Sequence, residues 1–362
     1  MRREKNQYIF ASELKKRNRG HRFRNAVLVL IPLLIISFLV MNFTVTHRVR
    51  LDEVRLTILN LHDDLEGFSI LHLSDLHGAM LGENQKAIEN ALENRRYSCV
   101  VMTGDMLGDD GDVQPLLELI ELLPKDTPKY LIAGDTDGPL IETMAHSSLS
   151  VYTEWAQQVK AAGVTILDEP ALIEREKGRL WLIPEELYSR DLNMTRDIYQ
   201  RQLDSLTERE RAASLTADDA ARIRALQYEI ERVEKLKETK KLFKSTDIQV
   251  VLTHTPLSED YVADMITWGD KADIFSMRYA SLILAGHYNG GQWRIPFVGA
   301  VYVPELGWFP EDSLIQGLSY TGGIPQYISP GLGSDPHYEH QPGRIFNSPV
   351  ITKIVLTKKT GK

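Results

Sequence analysis

Cysteine is almost missing from this chain. The single Cys99 in 362 residues excludes an internal disulfide framework and a cysteine-based zinc site. Long apolar runs are scarce too: one occurs, near the N-terminus, which excludes a multi-span membrane protein. There is no excess of positive charge, since the net charge of −8 argues against a general nucleic-acid binder. Compositional bias is also lacking. With 43% hydrophobic and 25% charged residues, wholesale disorder and collagen are excluded. The charge that is present is uneven. Residues 1–25 hold nine Lys/Arg and two Glu, so a +7 head precedes a remainder of −15.

Directly after that head, residues 26–45 run apolar without a charge. About 20 such residues cross a bilayer as a helix. Pro32 removes one backbone bond, which membrane helices tolerate when neighbouring groups compensate. Nine basic residues precede the run, and only Arg48, Arg50 and Arg55 follow closely. The positive-inside rule therefore predicts a single-pass cell-membrane protein, N-terminus cytoplasmic and large domain extracytoplasmic. A cleaved signal peptide is the alternative, but no A-x-A-like site follows Val40. The expected organisation is a basic cytoplasmic head (1–25), a transmembrane anchor (26–45) and one domain (46–362).

From Val54 the chain alternates apolar runs with amphipathic stretches. Strands are expected at 68–74, 99–102, 130–133, 164–167, 180–183, 250–253 and 282–285. Helices are expected at 84–95, 113–123 and 151–162. Alternation of this kind implies an α/β domain with a largely parallel sheet covered by helices. Residues of about 185–244 interrupt it, being polar and helix-prone. Thr216–Asp219 has the form of a capping box, and Ile223, Leu226, Ile230 and Val233 follow at coiled-coil-like spacing. Two antiparallel helices are predicted there: a structural hairpin, a lid over the site, or a dimer or partner contact.

Acidic and histidine residues recur just after the buried strands, where fixed backbone aims side chains into a crevice. They are Asp75 and His77, Asp105, Asp135 and Asp137, His254, and His287 with Asn289. Any one of them reads as a turn or cap residue. Five coincident places in one order do not.

That order resembles the D-x-H, G-D, G-N-H-[DE], H, G-H-x-H pattern of the calcineurin-like metallophosphoesterases, in particular their membrane-anchored bacterial branch. Gly286–Arg294 is similar to the family's GHTHGGQ segment and its following basic residue. Tyr327–Gly333 and Arg344–Phe346 are similar to its C-terminal signature. The resemblance spans roughly 54–183 and 247–357. It implies a four-layer α/β/β/α sandwich carrying an N-terminal transmembrane helix and the inserted hairpin. Two divalent metals would lie at the C-terminal edge of the sheets. Asp75 and His77 would hold the first, completed by Asn289. Asp105 would bridge, and Asp135, His254 and His287 would hold the second. Mixed Asp/His ligation suits Mn, Fe, Zn or Co. The activity implied is hydrolysis of a phosphate ester, mono- or di-, by metal-bound hydroxide. Arg294 is a candidate phosphate contact, or an ordinary surface arginine.

The chain departs from that pattern in several places. Asp135 stands for the family Asn. Thr136 stands for the His that assists the leaving group, a contribution typically worth 10²–10⁴-fold. Asp137, which would orient that His, loses its task. Asn289 stands for the last His and is a weaker ligand. Gly108 stands where an acid is usual, with Asp109 one residue late, and His146 is a conceivable substitute acid. Two readings follow: an active phosphoesterase, or a weakened relative that binds a phosphate ligand or a protein without turnover. No nucleic acid is expected as a structural partner. Trp293, Trp308 and Phe309 form either an apolar rim suited to a lipid surface or ordinary loop packing.

Overall fold

The computed structural model describes residues 4–108, 111–145, 149–211, 215–269, 275–335 and 343–358, with side chains from Phe23 onward. Asp109 and His146 lie outside the described residues. The chain opens with one helix, α1 (Glu4–Thr46), which contains Pro32. The apolar segment Phe23–Thr46 is long and apolar enough to cross a membrane, and it meets the domain through Phe38, Asn42 and Val45. The helix continues back through the basic head, which has no glycine or proline before Gly20 to break it.

Two six-stranded sheets follow. The first contains β1 (Arg50–Ile58), β2 (Ser69–Leu73), β3 (Cys99–Thr103), β4 (Lys129–Ile132), β5 (Thr165–Ile166) and the C-terminal β16 (Val350–Lys358). Its order is β1-β16-β2-β3-β4-β5, and only the β16–β2 pair is antiparallel. The second contains β6 (Ala171–Glu174), β7 (Arg179–Pro184), β8 (Ile248–Leu252), β9 (Ala280–Ala285), β14 (Gly317–Thr321) and β15 (Ile324–Ile328). Its order is β14-β15-β9-β8-β7-β6, parallel in the middle and antiparallel at both edges. Between β9 and β14 in sequence lie two tiny hairpins, β10–β11 (Arg294–Ile295, Gly299–Ala300) and β12–β13 (Tyr302–Val303, Gly307–Trp308).

Strand alternation builds the layers. Cys99 and Val101 of β3, with Val250 and Leu252 of β8, point into one cluster between the sheets. Val100 and Met102 point the other way, toward α2 (Lys86–Leu92), α3 (Gln114–Leu122) and α4 (Glu154–Ala161). Val251 and Ile283 point outward from the second sheet onto α6 (Ala217–Lys240) and α7 (Glu259–Gly269). The result is the expected α/β/β/α sandwich. Cys99 is fully buried, and burial pushes its thiol up to about 12, so it behaves as a small apolar residue.

The insertion is a helical hairpin of α5 (Leu192–Arg211) and α6, with the Thr216–Asp219 capping box formed. It is not detachable. Leu187, Tyr188, Leu192, Val233 and Leu236 belong to the cluster on the second sheet. Ala225 and Leu226 line a groove with Tyr199 and Leu206 of α5. The apolar seam is spent within the chain only at Val233, and it lends no support to a dimer. Helix α2 is shorter than predicted. Asn84 and Gln85 adopt left-handed backbone before it, and left-handed Asn94 follows Leu92 and Glu93.

Candidate metal centre

The parallel strands β2, β3 and β4 of one sheet, and β8 and β9 of the other, end at the same edge. Each hands the chain to a tight loop. Asp75, His77, Asp105, His287 and Asn289 all have positive φ, between 45° and 81°. Left-handed backbone costs roughly 1–2 kcal/mol for most residues, and such strain gathers at functional sites. Close packing of these loops depends on glycine. A Cβ on Gly104 would lie 2.5 Å from the Gly134 Cα, and one on Gly286 would lie 2.7 Å from Asp75 Oδ2.

Two triads of possible ligands share one carboxylate: Asp75, His77 and Asp105, and Asp105, His254 and His287. Asp105 Oδ1 accepts the Thr136 N–H at 2.8 Å. Its Oδ2 faces His254 Nε2 at 3.1 Å and His77 Nε2 at 3.8 Å. His254 Nδ1 is held by the Thr103 carbonyl at 2.8 Å, which turns Nε2 inward. Asp75 Oδ1 accepts the His287 N–H at 2.8 Å, while Oδ2, fully buried, has no hydrogen-bond partner. In several ligands, then, one heteroatom is pinned by backbone and the other is left for the cluster. That is how outer partners orient metal ligands.

The electrostatics ask for a cation. Burial pushes the Asp75 carboxyl up, offset by His254 and His77. Burial alone would lower His254, but its bond to Asp105 and the charges of Asp75 and Asp105 raise it to about 10. Burial opposes the ionised form of Asp105 as well. Its hydrogen bond to His254 nevertheless holds it well below the usual carboxylate range. Below them His72 is fully buried, bonded to Thr103 Oγ1 at 2.8 Å, and pushed down to about 3.

The structure places the remaining sequence candidates less uniformly. Asp135 is exposed at the mouth, its Oδ2 3.5 Å from His287 Nδ1 and 3.9 Å from His254 Nε2. Asn289 turns its amide nitrogen to His77 Nε2 at 3.3 Å, and its oxygen receives Arg344 Nη2 at 3.4 Å. Ligation through that oxygen needs a half-turn of the amide. Thr136 Oγ1 is buried without a hydrogen-bond partner. Arg294 is drawn off: its guanidinium donates to the Gly290 carbonyl at 2.8 Å and pairs with Asp312.

Several roles escaped sequence reasoning. Asp137 accepts the N–H groups of Met106, Leu107 and Gly134 at 2.7, 2.8 and 2.8 Å, and so ties the Asp105 loop to the Asp135 loop. Burial pushes its carboxyl up and the N–H of Gly134 pulls it back. Arg344, buried beneath Asn289, is lowered to about 10 by burial despite the Asp75 charge. Its place in the C-terminal signature was the available signal. Glu305 lies 3.8 Å from His287 Nε2, with nothing in the sequence to mark it. Beside Asp135 and His254 opens a cleft of about 890 Å³ walled by Tyr228, Glu229 and Arg232 of α6.

The family profile described as calcineurin-like phosphoesterase matches residues 68–289, which takes in every loop of the cluster. The chain belongs to the calcineurin-like phosphoesterases. Among relatives in this family, the Bacillus subtilis (strain 168) protein called uncharacterized metallophosphoesterase YkoQ is 23% identical over 270 residues, 73% of this chain and 76% of YkoQ. The crystal structure of the phosphopantetheinyl hydrolase PptH from Mycobacterium tuberculosis superposes with a TM-score of 0.38 at 14% identity, covering 78% of this chain and 96% of that one. A putative 5'-nucleotidase from Staphylococcus aureus, in complex with alpha-ketoglutarate, gives 0.33 at 11%, covering 81% and 55%. Phosphoester hydrolysis with divalent metals is the general chemistry of calcineurin-like phosphoesterases, and the two triads are candidate donor sets for such metals in this member.

Proposed function

We propose that this calcineurin-like phosphoesterase hydrolyses a phosphate ester outside the cell, tethered by α1, with residues 46–362 as its catalytic domain. Asp75, His77, Asp105 and Asn289 would hold one divalent cation of the Mn, Fe, Zn or Co type, and Asp105, Asp135, His254 and His287 a second. The supporting observation is the buried, unpartnered Asp75 Oδ2 beside a shared Asp105, since a buried carboxylate oxygen without a donor calls for a cation. Such a pair of ions supplies charge for the phosphate oxygens and acidity to the attacking water.

The chain's own groups do the rest. Thr136 N–H and the Thr103 carbonyl fix Asp105 and His254 before substrate arrives. Asp137 keeps their loops in register. Thr136 carries no titratable group, so that position gives the leaving oxygen no acid assistance. The site is therefore suited to esters with a good leaving group, such as aryl or activated phosphodiesters. The cleft walled by α6 lies beside Asp135 and is placed to receive the group attached to phosphorus.

Two observations favour the alternative of binding without turnover: Thr136 at the acid position, and the Asn289 oxygen turned to Arg344. One assay decides. The full chain in nanodiscs, given bis(p-nitrophenyl) phosphate and Mn²⁺, is compared with Asp105→Ala. Metal-dependent hydrolysis at least tenfold above the variant is expected, a difference of about 1.4 kcal/mol in barrier. Equal rates with tight Mn²⁺ binding would establish the binding reading instead. Topology is read separately. Leu59→Cys, exposed at the end of β1, should react with an impermeant maleimide in intact cells.

A further inference from the structure

The small hairpins between β9 and β14 carry an odd cargo. Phe297, Val298, Trp308 and Phe309 are exposed, Phe297 completely. Phe297, Phe309 and Phe346 also have positive φ, at 67°, 51° and 47°. The turn Ile295–Val298, closed by Val298 N–H to Ile295 O at 3.0 Å, has proline second and a left-handed third residue. That is a type II turn, where glycine is the usual third residue. A phenylalanine there is unfavourable for the backbone and, in water, for the ring as well.

The anchor helix indicates where these rings sit. Phe346 stacks edge-on to Phe38 of α1 with centroids 4.5 Å apart, and its N–H donates to Asn42 Oδ1 at 2.7 Å. Phe38 precedes the end of α1 at Thr46 by eight residues, roughly 12 Å of helix. Phe346 is therefore level with the interior of the apolar run, not with its end. It lines the same hollow as Ile295, Phe297 and Val298. From there the metal-centre loop is close. Arg294 donates to Gly290 O at 2.8 Å, Asn347 donates to Asn289 O at 2.7 Å, and Glu305 faces His287.

We propose that Ile295, Phe297, Val298, Trp308, Phe309 and Phe346 form an apolar foot that enters the leaflet at the C-terminal end of α1, and that the site takes its phosphoester from a lipid of that leaflet. This rests on the membrane-spanning, phosphoesterase reading above. Exposed rings on strained turns, level with a membrane helix, have a bilayer as their matching surroundings. A site tied to that foot by its own loop residues meets phosphate at headgroup height.

The full chain in phosphatidylcholine/phosphatidylglycerol nanodiscs tests both halves. Buried Cys99 leaves an introduced cysteine as the label site. An NBD probe at Phe297→Cys should shift blue and lose about half its emission to doxyl lipid. The same probe at Leu59→Cys, one nine-residue strand away, should do neither. Phe297→Ser with Val298→Ser should lower hydrolysis of a disc-borne phosphatidyl p-nitrophenyl ester about tenfold, and leave aqueous bis(p-nitrophenyl) phosphate unchanged. Phe297→Leu should retain the lipid activity, which separates the apolar role from misfolding. A water-exposed probe at 297 with intact aqueous hydrolysis overturns the foot and leaves the enzyme standing. A quenched probe with neither ester cleaved supports the foot and overturns the lipid substrate along with the enzyme. Equal loss on both esters overturns delivery from the leaflet.

Discussion

Replacing Asp137 with asparagine exchanges one heavy atom, an oxygen for a nitrogen, and disturbs three hydrogen bonds. In the native side chain Oδ1 accepts from Met106 and Leu107, and Oδ2 accepts from Gly134, all within 2.8 Å. In the asparagine the amide oxygen keeps the first two as neutral bonds, and the amide nitrogen sets a donor against the Gly134 N–H. A hydrogen bond to a charged group contributes about 1.5–3 kcal/mol, and a buried unpaired donor costs about 1–3 kcal/mol. One bond lost and two weakened amount to roughly 3–4 kcal/mol. For a domain of about 315 residues, at roughly 2.1 cal/mol/K of unfolding entropy per residue, that lowers Tm by about 5–6 °C. The Asp105 and Asp135 loops should loosen together, because Asp137 is their common tie. Asp137→Asn is therefore expected to weaken Mn²⁺ affinity about tenfold, within the usual range for outer partners of metal ligands. Thermal melts at matched scan rate and Mn²⁺ calorimetry on the full chain measure both. A Tm drop under about 2 °C with unchanged Mn²⁺ affinity would refute the reasoning that this carboxylate holds the two loops.

Without acid assistance at Thr136, hydrolysis should depend steeply on leaving-group pKa. In a series of aryl phosphodiesters the rate should fall about 10²-fold or more as the phenol pKa rises by about three units, whereas a shallow slope would reveal an unrecognised acid. Asn289→His should tighten the first cation roughly tenfold, imidazole being the better ligand for such metals; metal content per chain after dialysis reads this directly. His72 titrates near 3 when folded and near 6.5 when unfolded. Its contribution is thus intact above pH 6.5 and lost as pH falls toward 3, on the order of 4 kcal/mol in all. His72→Gln, which can keep the bond to Thr103, should flatten the stability profile across that window in denaturant titrations.

The strands were readable because parallel strands buried on both faces are continuous apolar runs, as in β3 and β8. The α6 cap was readable because Thr216 and Asp219 act within one turn. The two-residue strands β10–β13 were not, since a pair that short has no period to detect. The backward extension of α1 was hidden by its charge: basic residues favour helix as readily as they signal topology. In the site, the ligand candidates were legible from their position after strands. The work of Asp137 was not. Its partners at 106 and 107 lie some thirty residues back, on a neighbouring strand's loop. Asn289 shows the same limit from another side. Its spacing marked it as a ligand, but the pull of Arg344 on its oxygen comes from 55 residues downstream.

The position of β16 sets the order in which this molecule can be finished. β1, the first strand after α1, pairs with β16 alone, over nine residue pairs from Arg50 with Val350 to Ile58 with Lys358. During synthesis β1 emerges some three hundred residues before its partner. β2, β3 and β4 can assemble in the meantime, but β1 must wait with an unpaired edge until residues 350–358 have been made. Residues 350–358 thus close the sheet beside the strand that directly follows α1. A chain stalled before residue 350 would carry most of the loops of the candidate metal centre and still have an unsealed seam beside α1. Such a seam invites strand exchange with a neighbour, so loss of β16 should be felt as aggregation before it is felt as loss of the candidate ligands.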